Sequence, residues 1–187
     1  MTKRPLAVAI TGGIAAGKSE ALAAFERHGA ATLSADEIVH ELLASDDDVR
    51  TAIRERWGED AVGDRARIGE IVFRDSAELD WLEKLLHPRT RVVSDTWLAS
   101  VDEPLAVVEV PLLYETGAES RFDAVVVITA PPEVREQRRS GYADREARLV
   151  PDEEKARRAD FVYVNDGSLE ELDRFVEGVA ERLSSSS

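Results

Sequence analysis

Residues Gly12-Gly13-Ile14-Ala15-Ala16-Gly17-Lys18-Ser19 fit the pattern G-x-x-x-x-G-K-[ST]. Glycines at 12 and 17 open backbone conformations that a side chain resists, so the chain can wrap a phosphate group in peptide N–H donors at a helix N-terminus. In such a loop Lys18 bridges the β- and γ-phosphates and the Ser19 hydroxyl is a ligand for Mg²⁺, which predicts nucleoside triphosphate binding. The bland alternative is a glycine-rich turn with no ligand. The full spacing, with a strand-like run before it and a helical run after it, argues against that alternative.

A second chemical residue is Asp36, in Leu33-Ser34-Ala35-Asp36-Glu37-Ile38-Val39-His40. It follows a short apolar run, at the carboxyl edge where open α/β sheets place their ligands. A carboxylate there orients or deprotonates an attacking hydroxyl. Aspartate ahead of Ile38, Leu42 and Leu43 also makes a good helix N-cap, and spacing alone leaves both readings open. A third group is arginine: Arg135, Arg138, Arg139, Arg145 and Arg148, around Gly141. These either neutralise a transferring phosphoryl group or form a solvated, ion-paired face.

The elements that must position these residues are legible as apolar runs. Residues 6–11, 31–33, 105–110, 124–129 and 161–164 are short and nearly continuously apolar, the pattern of strands buried on both faces of a parallel sheet. Helical patterns at 19–28, 135–139, 151–158 and 169–183 alternate with them, which predicts an α/β layered fold with right-handed crossovers. Between 33 and 105 no strand-like run occurs; residues 36–44, 47–57, 68–73, 77–86 and 88–100 read as helices. A helical insertion whose flanks return to one sheet predicts a substrate-covering subdomain over about 36–100 within one domain, 1–183, followed by a disordered serine tail at 184–187.

Composition closes off other classes. The 187 residues carry a net charge of −14, which repels duplex DNA and anionic lipid, so neither nucleic acid nor a membrane is an expected partner. There is no cysteine, which excludes disulfides, thiol catalysis and thiolate metal sites. The histidines, at 28, 40 and 87, are too scattered for a His-based zinc site. No stretch approaches membrane-spanning length and no signal-peptide cleavage region is visible, so a cytoplasmic protein is expected. Lysine is scarce (positions 3, 18, 84 and 155), which makes Lys18 conspicuous.

GGIAAGKSE, SADEIVHELL, LLHP, EVPLLYETG and ADFVYVNDGS occur in the order and at roughly the spacing seen in dephospho-CoA kinase, which the chain resembles from about Leu6 to Leu183. The resemblance implies a P-loop kinase fold, a parallel sheet of about five strands flanked by helices, with the helical insertion over the substrate and a short lid over about 138–151. It implies transfer of the γ-phosphate of ATP, with Mg²⁺, to the 3′-hydroxyl of dephospho-CoA.

Residue by residue, the resemblance gives Gly12, Gly13, Ala15, Ala16, Gly17, Lys18, Ser19 and Glu20 to the ATP phosphates, with Ser19 on the metal. It makes Asp36 the base, and places Arg65, His87 and the strand-and-turn residues Pro111, Leu112 and Leu113 on the acceptor. Asn165 and Gly167 fall beside the adenine, and Arg138 first, then Arg145, match the lid arginines. Bland readings stand beside these: His87-Pro88 as a junction between two helices, and Asn165-Asp166-Gly167 as a simple turn. The chain departs from the family pattern at Glu20 (threonine is common), Ser34 (an acid is frequent) and Leu149 (glutamine is common), and its lid is shorter. A related small-molecule kinase and an ATP-binding regulatory protein are the competing functions.

Overall fold

The structure, a computed structural model, describes residues 4–139 and 149–185. In chain order its elements are β1 (Leu6–Gly12), α1 (Lys18–Arg27), β2 (Ala31–Ser34), α2 (Ala35–Ser45), α3 (Asp47–Trp57), α4 (Arg65–Arg74), α5 (Ser76–Ser100), β3 (Leu105–Glu109), β4 (Ala124–Thr129), α6 (Pro132–Arg138), α7 (Asp152–Arg158), β5 (Phe161–Val164) and α8 (Leu169–Ser185). The chain divides into two compact units: Met1–Ser34 with Leu98–Ser187, and Ala35–Trp97.

The first unit is built on one parallel sheet of order β2-β3-β1-β4-β5. β1 is central, paired with β3 on one side and β4 on the other, so the loop that leaves it opens at the middle of the sheet's carboxyl edge. The continuous apolar runs of β1, β3 and β4 are explained by two covered faces, whereas the edge strands depart from that expectation: β2 is mostly half-buried and β5 leaves Val162 and Val164 exposed. Val8 and Ile10 face a core with Phe25 of α1 and Leu172, Val176 and Val179 of α8, while Ala9 faces the opposite side with Leu113, Tyr114, Val125 and Val127. α8 begins with a capping box: Glu171 accepts from the Ser168 N–H at 2.7 Å, and the Ser168 hydroxyl accepts from the Glu171 N–H at 3.3 Å.

The second unit is helical. Asp46 caps α3 by accepting from the Val49 N–H at 2.9 Å, and Asp64 caps α4 by accepting from the Arg67 N–H at 3.0 Å. Its interior is formed by Ile38, Leu42, Leu43, Val49, Ile53, Ile68, Leu82 and Leu86.

Two expectations are corrected. Residues 77–86 and 88–100 are one helix, α5, with Pro88 inside it. Proline removes one backbone donor, to the carbonyl of Lys84, which lies on an exposed turn that water can reach. Just beyond, Arg89 Nη1 donates to the Leu85 carbonyl at 2.9 Å and Thr90 Oγ1 to the Leu86 carbonyl at 3.0 Å. At the C-terminus, Ser184 and Ser185 are helical rather than tail, their hydroxyls donating to the Ala180 and Glu181 carbonyls at 2.8 and 2.7 Å. Residues 186–187 lie outside the described residues. Among the described residues no helix is long and apolar enough to cross a membrane.

Candidate active site

The loop between β1 and α1 has the backbone its sequence predicts. Gly12 has φ of 143°, and a Cβ there would run into the Ile128 carbonyl of β4. Gly17, the N-cap of α1, has φ of 100°. Ala15 also carries a positive φ, 59°, the only non-glycine to do so among the described residues. A β-carbon in that region costs about 1–2 kcal/mol, so the surrounding contacts must impose it.

They do so by gripping carbonyls. Arg135 Nε donates to the Ile14 carbonyl at 2.8 Å, and Arg138 Nη1 to the carbonyls of Ala15 and Ala16, both at 3.3 Å. Asn165 Nδ2 donates to the Ala16 carbonyl at 2.8 Å. Because C=O and N–H point oppositely across a planar trans peptide, holding these oxygens turns the N–H groups of Ala15 and Gly17 to the other side of the loop. Those N–H groups and the start of α1 form the anion-binding concavity. Lys18 Nζ donates to the Gly13 carbonyl at 2.9 Å, folded back across the loop it serves.

Ser19 Oγ lies 3.5 Å from Oε2 of Glu109, the buried last residue of β3. A hydroxyl and a carboxylate side by side are hard oxygen donors of the kind Mg²⁺ takes, one or two from protein and the rest from phosphate and water. The donor set therefore fits that ion. Glu20 is exposed in the first turn of α1, where the helix dipole favours an acid.

Arg135 is the loop contact that sequence reasoning left in the undifferentiated arginine cluster. Its side chain is only 6% exposed and pairs with Asp152 of α7 at 3.1 Å. Arg138, singled out from sequence, is exposed, and its Nη2 also donates to the Asn165 carbonyl at 3.3 Å. Asn165 is buried and its own N–H donates to the Thr129 carbonyl at 2.7 Å, so the turn after β5 is tied to β4 before it reaches the loop. Gly167 packs so closely on the Glu171 carboxylate that a Cβ would collide with it. Arg145, with Gly141 and Arg148, lies outside the described residues.

After β3 the chain turns through Pro111, Leu112 and Leu113. Pro111 and Leu112 are partly exposed, but Leu113 is fully buried against Ala9, Val125 and Val127. Its predicted place on a substrate is corrected: the alternation of the turn sends it into the core. Tyr114 beside it is buried too, and desolvation pushes its hydroxyl's pKa above the ordinary value.

In the helical unit Asp36 is the second residue of α2, inside the first turn and exposed, rather than the cap ahead of it. Asp36, Glu37, His40 and Arg65 line an open depression of about 390 Å³. Asp36 and His40, four residues apart, share one helix face. Arg65 Nη1 donates to His40 Nδ1 at 2.7 Å; since guanidinium can only donate, the ring nitrogen must accept and the imidazole proton sits on Nε2. His40 was missed from sequence because its partner is 25 positions away. His87, exposed on α5 beside Pro88, is not among the side chains lining the depression.

The dephospho-CoA kinase family model matches residues 6–171. A dephospho-CoA kinase of Thermosynechococcus vestitus is 39% identical over 188 residues, 93% of each chain. One from Mesorhizobium japonicum is 37% identical over 193 residues, covering 95% of this chain and 96% of its own. A crystal structure of a Thermus thermophilus protein superposes with a TM-score of 0.80 at 33% identity, covering 97% of this chain and 99% of its own.

Proposed function

The chain belongs to the dephospho-CoA kinase family, and on that premise we propose that it transfers the γ-phosphoryl group of ATP to the 3′-hydroxyl of dephospho-CoA, with the phosphate loop and Asp36 as the two centres of the chemistry. The observation that carries this reading is a formed phosphate loop, braced at three successive carbonyls, in a chain that matches its relatives along nearly their whole length.

The N–H groups of Ala15 and Gly17 and the N-terminus of α1 hold the phosphates, and Lys18 exchanges its Gly13 carbonyl for phosphate oxygens. Ser19 and Glu109 would hold Mg²⁺, which neutralises phosphate charge when bound. The acceptor's oxygen attacks the γ-phosphorus, its proton passes to the Asp36 carboxylate, and the bond to the bridging oxygen breaks to release ADP. Exposure in the first turn of α2, on the rim of a depression with Arg65, supports Asp36 in this role. Arg65 and His87 of the helical unit, Ala35–Trp97, bind the acceptor, as do Pro111 and Leu112 in the turn after β3. Arg138 balances charge on the transferring group, and Asn165 with Gly167 borders the adenine. The setting is the cytoplasm.

The test is ADP release from Mg-ATP with dephospho-CoA, nucleoside monophosphates and sugars as separate acceptors. Release with dephospho-CoA alone is expected. Release with another acceptor establishes a different small-molecule kinase, and tight ATP binding without any acceptor-dependent turnover a regulatory protein.

A further inference from the structure

A set of buried polar groups outside the phosphate loop joins α7 to the turn after β3. Lys155 is fully buried, and its Nζ lies 3.1 Å from Oε1 of Glu115. That oxygen also accepts from the Val150 N–H at 2.9 Å. One turn along α7, Arg158 pairs with Glu119 and covers the Tyr114 ring at 4.2 Å from its centre. Lys155 Nζ makes a charge contact without an aligned hydrogen bond, and Glu115 Oε2 is buried with no hydrogen-bond partner among the described residues.

As a core staple this is a poor choice. A buried ion pair recovers little more than its desolvation cost, and an apolar pair of the same volume packs as stably. What the charges add is a fixed distance, because apolar contact is non-directional and tolerates sliding.

The other end of α7 shows what that distance serves. Asp152, three residues before Lys155 and on the same side of the helix, holds Arg135, and Arg135 holds the Ile14 carbonyl of the phosphate loop. One two-turn helix therefore grips the loop at its start and the turn at 110–118 at its end.

We propose that Lys155 is a positioning residue: through Glu115 it sets the turn after β3 against α7, so that occupation of the phosphate loop orders the side of the site assigned to the acceptor. Naming that side rests on the function proposed above; the mechanical link does not. A nucleotide in the loop tightens the carbonyl held by Arg135, Asp152 fixes α7, and Lys155 delivers that order to Glu115.

The experiment pairs Lys155→Met with Glu115→Gln, removing both charges while keeping volume and an amide oxygen for the Val150 N–H. We expect KM for dephospho-CoA to rise about tenfold, the scale of a modest coupling between sites, with KM for ATP within about twofold of wild type. Hydrogen exchange at the amides of 116–118 is read with and without a non-hydrolysable ATP analogue. The analogue slows exchange in the wild type and not in the variant. An unchanged acceptor KM, or equal slowing in both proteins, overturns the proposal. Lys155→Met alone, which leaves the partly exposed Glu115 carboxylate accepting from the Val150 N–H, shows the same split if the pair of substitutions does not fold, and a wild-type pattern there also overturns it. A wild-type protein that ignores dephospho-CoA refutes the acceptor assignment, while the exchange comparison, which needs no acceptor, still decides the link.

Discussion

The side-chain amide of Asn165 fills the space in which a β-carbon of Gly17 would sit, donating at 2.8 Å to the Ala16 carbonyl 149 positions earlier in the chain. The turn after β5 and the phosphate loop thus fit each other as a pair: the glycine is needed both for its φ of 100° and for the room that the amide occupies.

Asn165→Ala should then loosen the loop. A buried hydrogen bond to a carbonyl is lost and the Ala16 oxygen is left without this partner, a loss of about 1–3 kcal/mol in stability. Isothermal titration with ATP should show weaker binding in the same variant. Gly17→Ala should not be rescued by adding Asn165→Ala, because the backbone strain at Gly17 remains after the space is cleared.

Lys18→Ala should lower kcat by at least about a hundredfold, the scale of removing one preorganised electrostatic group. Lys18 is partly exposed and its bond to the Gly13 carbonyl is one neutral acceptor for a cation that water also solvates, so the melting temperature should move little. Steady-state kinetics beside thermal denaturation check both halves; near-normal turnover would refute the phosphate-loop assignment.

Asp36→Asn tests the proposed base. The residue lies inside the first turn of α2, so the substitution removes a favourable but small dipole interaction and leaves the fold intact. Loss of a general base should cost roughly 10²–10⁴ in turnover while ATP affinity persists. Wild-type turnover in the folded variant would remove Asp36 from the chemistry.

Acid stability should report Asp123. Its carboxylate accepts a two-pronged bond from Arg4 and a third from the Ala7 N–H at 2.8 Å, tying the start of β4 to the start of β1. The Arg4 hydrogen bonds, partly opposed by burial, hold its pKa below the ordinary 3.8. A depressed folded-state pKa means that the stabilisation is fully present above the ordinary value and is lost as pH falls through it into the lower folded-state range. Melting temperatures of wild type and Asp123→Asn should therefore differ at neutral pH and converge below about pH 4, near the unfolded aspartate pKa. Parallel curves across that range would refute this linkage.

What the sequence made legible follows from where the information lies. Three of the strands stood out because β1, β3 and β4 are covered on both faces and must be apolar throughout, as Val8-Ala9-Ile10 shows, while the edge strands β2 and β5 were legible from their β-branched and aromatic residues. The loop stood out because its glycines are required one by one. Helix α5 did not, because Pro88 is a strong local stop, and only the folded helix shows that its one lost backbone bond falls on an exposed turn. Leu113 could not be separated from Leu112 without knowing which face of the turn is covered. His40 required a partner from another helix, and Lys155 required the turn after β3.

The two arginines of α6 carry the last prediction. Arg135 and Arg138 are three residues apart and identical in type, so residue type alone does not separate their roles, yet their surroundings differ. Arg135 is buried, tied to Asp152, and donates at 2.8 Å to a loop carbonyl. Removing it takes a nearly buried guanidinium and its hydrogen bond away from the loop, and a charged partner from Asp152, whose side chain is 22% exposed. Arg135→Ala should therefore lower the melting temperature and weaken ATP binding. Arg138 is exposed and its three carbonyl contacts are all longer, at 3.3 Å. Such contacts are readily exchanged for phosphate oxygens, whose full negative charge attracts a guanidinium more strongly than a carbonyl dipole does. The gain is greatest when charge spreads over the equatorial oxygens of the group in transit. Arg138→Ala should accordingly leave stability and ATP affinity near wild type and reduce kcat, the signature of an interaction made chiefly in the transition state. Measuring melting temperature, ATP affinity and kcat for the two single variants checks the split. If Arg138→Ala instead weakens ATP binding and leaves kcat unchanged, bracing the loop is the whole of Arg138's role and charge on the transferring group is balanced elsewhere.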